Sequence, residues 1–239
     1  FSSQVLPLLK IEDNKSVKFR KLDWNFMYRS EVLEIGQKDF LMAVTDYQSA
    51  SLSWQFFISA NGALDAPRKS MIDAIAASRF TNAYEYILNT FLFDTMLAIC
   101  RLTDQGRNGD CVSLYKIKSH LTTKRQEMIR MGQAIDDIDD ANSEVSRFLK
   151  SDAVSIVRDR RKIHLAHRID GVPEKFSYGQ LEEAIEQLTV IFQRLGPLFH
   201  ATEGYSGSVV HQYKTQFDRF WEAVEKGAVE VHRKSRSAP

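Results

Sequence analysis

From Ser70 to Asp104 the chain runs without a single glycine or proline: SMIDAIAASRFTNAYEYILNTFLFDTMLAICRLTD. Proline breaks a helix interior and glycine weakens it, whereas an all-β sandwich needs turn residues every eight to twelve positions. With only 11 Gly and 5 Pro in 239 residues, that punctuation is missing almost throughout, so the sequence predicts an all-α fold. Tyr84, Ile87, Leu88, Phe91, Leu92, Met96 and Ile99 recur at three and four residues, as one face of a buried helix that is broken once.

The remaining elements follow from their stops and caps. Gly106, Asn108 and Gly109 end the first long helix, and CVSLYKIKSHLTTKRQEMIRM reads as a second, shorter one. A third is expected to start at Asn142 or Ser143 and continue through EVSRFLKSDAVSIVRDRRKIHLAHR to Gly171 and Pro173. Ser177 and Gln180 have capping-box spacing before an apolar stripe from Leu181 to Leu195, which Gly196 and Pro197 should close. HQYKTQFDRFWEAVEKGAVEVHRKSRSAP reads as a last amphipathic helix with a frayed basic tail. In the first seventy residues, DFLMAVTDYQSASLSWQFFISA fits helix or strands, and helix is preferred. The expected organisation is an N-terminal extension over 1–69, a helical domain over 70–232 and a basic tail over 233–239.

Composition excludes several function classes. Lys+Arg number 32 against 31 Asp+Glu, so no global basic field drives polyanion binding and any such site must be local. Cys100 and Cys111 are the only cysteines and neither has zinc spacing, which suits a reducing cytoplasm. FSSQVLPLLKIEDNKSVKFRK lacks a leading Met, as expected of a processed, tagged or trimmed start, and its apolar run is too short for a signal peptide or membrane span. Phosphate-loop, dinucleotide-fold, HExxH and GxSxG motifs are absent.

One stretch does concentrate chemistry. RDRRKIHLAHRID, Arg158 to Asp170, holds four arginines, a lysine and two histidines. At about 100° per residue, Arg160, His164 and His167 share one helix face, and Arg158, Arg161 and Arg168 overlap the adjoining sector. Spacing alone favours a solvated basic face balanced by Asp152, Asp159 and Asp170. The alternative is a phosphate site, since imidazole moves protons near neutral pH and guanidinium clamps phosphate oxygens.

An arginine followed by a polar residue and, four to six residues on, a histidine resembles the motif of the HEPN superfamily (higher eukaryotes and prokaryotes nucleotide-binding). RKIHLAHR resembles its abortive-infection, AbiU-type branch in particular. MLAICRLTDQGRNGDCVSLYKIKSHL is similar to the preceding helix, acidic turn and serine-leucine helix of that branch, so the resemblance covers about half the chain, from Phe80 to Phe199. It tips the balance towards a site.

The resemblance implies a HEPN-like bundle forming a two-fold dimer with its motif helices facing, and a metal-independent endoribonuclease acting as a toxin or antiphage effector. RNA, a second copy and an inhibitory antitoxin or other regulatory partner are the expected partners, with no membrane, metal or cofactor. His167 is then general base or acid with His164 as helper, Arg161 and Arg158 are clamps, and Arg160, Lys162 and Arg168 bind RNA. Registration stays open between Arg161/His167 and Arg158/His164: the first pair has the LAHR context, with Lys162 where Asn or Asp is usual, and the second has Asp159. A non-catalytic RNA- or nucleotide-binding scaffold is the other reading. The pair Arg101 and Asp104 in RLTD is expected to be structural, Asp136 to Asp140 to be an acidic helix entry, and Trp24, Trp54 and Trp221 to be core.

Overall fold

The computed structural model describes residues 31–61, 69–77, 80–105, 112–161, 177–201 and 207–237. These form α1 (Glu31–Asn61), α2 (Lys69–Ala77), α3 (Thr81–Leu102), α4 (Leu114–Thr123), α5 (Arg125–Arg130), α6 (Ile135–Leu149), α7 (Asp152–Arg161), α8 (Tyr178–Leu198) and α9 (Gly207–Ser237), with no strand among the described residues. The fold is all-α, as the scarcity of Gly and Pro requires.

The segment that fitted helix or strands is the long helix α1. Its buried positions Phe40, Ala43, Val44, Tyr47, Ala50, Trp54 and Phe57 recur at three and four residues, a period that interspersed alanines and serines obscure in the sequence. Those side chains join the same core as Met96 and Ile99 of α3, Ile117 and Leu121 of α4, Val145 and Phe148 of α6, Val157 of α7, and Leu188 and Phe192 of α8. Tyr47 stacks on Phe192 at 4.7 Å between centroids and donates its hydroxyl proton to Thr189 Oγ1 at 3.0 Å, while Phe40 stacks on Phe199 at 4.9 Å. A smaller cluster of Met71, Ala74, Ile75, Trp221 and Ala228 binds α2 to α9, with Trp221 Nε1 donating to the Phe56 carbonyl. Trp54 and Trp221 are core residues, as expected, and Trp24 lies outside the described residues.

Several boundaries differ from the sequence expectation for identifiable reasons. The long apolar stretch is broken once, between α2 and α3. The shorter second helix is two, divided at Lys124. The expected third helix starts earlier, at Ile135, where Asp136 and Asp137 sit in the first turn and favour the positive end of the helix dipole; Asn142 and Ser143 are interior. It also stops at Leu149: the Lys150 and Ser151 amides tighten onto the Arg147 and Phe148 carbonyls at 3.2 and 3.0 Å, and Ser151 Oγ accepts from the Val154 amide to start α7.

The Ser177–Gln180 capping box forms in both directions, at 3.3 and 3.0 Å. Gly196 and Pro197 do not end α8, which runs to Leu198, because a proline in the last turn removes only the one bond its own amide would have made. α9 is helical through the basic stretch to Ser237, with a Lys234–Glu230 pair at 2.7 Å. No helix among the described residues is long and apolar enough to cross a membrane.

Candidate functional site

The C-terminal end of α3 meets α7, and the charged groups gather there. Thr103 caps α3: its amide donates to the Ile99 and Cys100 carbonyls at 3.0 and 3.2 Å, and its hydroxyl donates to the Ile99 carbonyl at 2.8 Å. Thr103 is fully buried. Its own carbonyl points to α7 and accepts from Arg158 Nη2, a suitable match because the carbonyl end of a helix favours cations. The Arg158 guanidinium also lies over the Tyr115 ring, 5.9 Å from its centroid. Burial pushes the Tyr115 phenol pKa up, but hydrogen bonds with Gln105 and Arg158 and the charges of Arg158 and Lys118 outweigh this and leave it below the ordinary tyrosine value.

One helical turn further along α7, Arg161 is exposed and reaches the Asp104 carboxylate at 3.8 Å. Beside it, Arg101 Nε donates to Asp46 Oδ1 at 2.7 Å, tying α3 to α1. These two pairs border a cleft of about 490 Å³. Met42, Thr45 and Asp46 of α1 form one side, Arg101 and Asp104 another, and Val112 and Arg161 complete it. Behind the cleft, burial pushes the Cys100 thiol up, against the lowering charges of Arg161 and Arg158, so Cys100 is a packed thiol and not a nucleophile.

Of the residues singled out in the sequence, Arg158 and Arg161 meet at this junction but in different settings, one engaged inside and one lining the cleft. Arg160 belongs to α7; its side chain, together with Lys162, His164, His167 and Arg168, lies outside the described residues. Arg101 and Asp104, expected as one structural pair, are found in separate ion pairs, Arg101 with Asp46 and Asp104 with Arg161, and both line the cleft. Within the acidic run, Asp139 pairs with Arg125 at 2.6 Å and Asp140 with Arg194 at 3.3 Å, bracing α6 against α5 and α8.

Asp46 and Tyr115 were not singled out. Tyr115 stands in the SLYKIKSH stretch of the family resemblance, which carried a signal for its helix but none for its role; Asp46 has no motif around it. Comparison with known proteins adds one finding: the HEPN family model described as AbiU2 matches residues 47–226, from within α1 to within α9. No curated protein and no solved structure matches the chain.

Proposed function

The chain belongs to the AbiU2 family of HEPN proteins, and on that footing we propose that it is a metal-independent endoribonuclease that acts as an abortive-infection effector in the cytoplasm. The observation that carries this reading is the cleft at the α3–α7 junction, into which α7 delivers an exposed arginine immediately ahead of the His164 and His167 sequence. In RNA the nucleophile is already present as the 2′-OH. His167 removes its proton, with His164 as helper, and the 2′ oxygen attacks the adjacent phosphorus. Arg161 stabilises the phosphorane charge, the P–O5′ bond breaks, and the 5′ oxygen takes a proton from imidazolium. The products are a 2′,3′-cyclic phosphate and a 5′-hydroxyl. Arg160, Lys162 and Arg168 track the flanking phosphates.

Arg158, engaged with Thr103 and Tyr115, holds α7 in place and leaves the phosphate to Arg161. This supports the Arg161/His167 registration over Arg158/His164. The active form is a homodimer whose two motif helices face each other, and a regulatory partner keeps it silent until triggered. The test is incubation of labelled total and transfer RNA with the purified protein in excess EDTA, beside the matching DNA. Cleaved RNA with cyclic phosphate ends and intact DNA supports the reading. RNA that is bound with strong salt dependence and left whole would instead make the protein a binding module.

A further inference from the structure

By helical spacing, no carboxylate of α7 falls on the side of Arg161. Its sequence neighbours Arg160 and Lys162 are cations, and one turn back stand Val157 and Arg158. Asp159 is two positions away and faces elsewhere, because only residues three or four apart share a helix face. The carboxylate that reaches Arg161 comes from the end of α3: Asp104 Oδ2 lies 3.8 Å from Arg161 Nη1, and both residues line the cleft. Asp104 is itself well fixed. Its amide donates to the Arg101 carbonyl at 3.3 Å, continuing the last turn of α3, and the residue before it is fully buried Thr103, whose carbonyl accepts from Arg158. Consecutive residues of α3 thus meet arginines one turn apart on α7, a backbone carbonyl taking the inner one and a carboxylate the outer. The first contact sets the register, and that register puts Asp104 within reach of Arg161.

We infer that Asp104 is a positioning residue, which holds the Arg161 guanidinium at the cleft in the orientation that meets the scissile phosphate. The inference rests on the ribonuclease reading for that phosphate, but the orientation of Arg161 is a property of the free protein and can be measured without RNA. A role in stability does not account for the pair, since both side chains are about half exposed and such pairs contribute little. Its effect is on direction: an arginine stem has many rotamers in water, and a fixed carboxylate across the cleft favours those that keep the charge there. At 3.8 Å the attraction is one of charge and not a hydrogen bond, so this pair consumes none of the guanidinium N–H donors that a phosphate needs. The same carboxylate repels the incoming phosphate. Neutralising it therefore separates orientation from binding, with the rate falling while affinity holds or rises.

Two measurements on the folded full chain test this, with circular dichroism confirming that each variant folds. First, kcat and KM for RNA cleavage are compared in wild type, Asp104→Asn, Asp104→Glu, Arg161→Met and the double variant Asp104→Asn with Arg161→Met. Asp104→Asn should lower kcat about tenfold or more with KM unchanged or lower, and Asp104→Glu should stay within about threefold of wild type. On the Arg161→Met background Asp104→Asn should remove less than about twofold more, because it acts through that arginine. Second, the heteronuclear NOE of the Arg161 Nε–H group, assigned by its loss in Arg161→Met, is measured without RNA. It should report an ordered guanidinium in wild type and a mobile one in Asp104→Asn. If wild type cuts RNA and Asp104→Asn cuts equally well, or loses as much on the Arg161→Met background, the positioning role is overturned and the nuclease reading stands. If no RNA is cut but Arg161 is ordered in wild type and released in Asp104→Asn, Asp104 holds Arg161 while the nuclease reading falls. Equal mobility of Arg161 in the two proteins overturns the inference whether or not RNA is cut.

Discussion

Replacing Arg158 and Arg161 in turn by methionine separates an anchoring arginine from a substrate-facing one. Arg158 donates to the carbonyl of fully buried Thr103, and a hydrogen bond from a charged group contributes about 1.5–3 kcal/mol. Its contact with the Tyr115 ring adds about 0.5–1 kcal/mol, and methionine retains the stem packing but neither interaction. Arg158→Met should therefore cost about 2–3 kcal/mol. For a chain of this size that lowers Tm by roughly 5–10 °C. Arg161 pairs with Asp104 at 3.8 Å with the two side chains 47% and 45% exposed, so Arg161→Met should cost under about 0.5 kcal/mol, or roughly 2 °C at most. The assay is thermal unfolding followed by far-ultraviolet circular dichroism on both variants in one buffer. If Arg161→Met unfolds as early as Arg158→Met, or Arg158→Met unfolds with wild type, the division of labour between them is wrong.

Two further predictions concern the contact between α1 and α4. A Cβ at Gly36 would stand 2.6 Å from His120 Nε2 and 2.7 Å from Cε1, with that ring already 5.7 Å from Phe199, so Gly36→Ala overpacks by about 1–3 kcal/mol. Helix propensity offsets at most about 1 kcal/mol, and the urea midpoint should fall with an unchanged slope. Burial depresses the His120 pKa, aided by Lys124 and opposed by the Asp39 and Glu127 carboxylates. The unfolded chain then takes up a proton first, so stability is full above the ordinary value of 6.5 and declines as pH falls through it towards the folded value. Wild type should lose stability relative to His120→Leu between about pH 7.5 and 5.5; a constant difference over that interval would refute the burial account.

The helix class was legible because it depends on local rules: Gly and Pro are scarce, and the Ser177–Gln180 cap is written in four consecutive residues. The break at Lys150 and Ser151 was not, since neither residue is a helix breaker and the turn there is set by where α7 must pack against α3. The site was half legible. Arg158 and Arg161 look alike as letters, and they point only about 60° apart on a helix. Burial against Thr103 and Tyr115 decides which of them is committed inside, and those partners come from 55 and 43 positions away in the sequence. Asp46 enters the cleft on the same terms, through an ion pair with a residue two helices further on.

The most direct test of the central claim is single-turnover cleavage of a labelled RNA in excess EDTA by wild type, Arg161→Met, His164→Ala and His167→Ala, each shown to be folded. The account predicts that Arg161→Met and His167→Ala each lose about a hundredfold or more in rate while still binding the RNA, with His164→Ala affected less. Variants that cut as fast as wild type would contradict it.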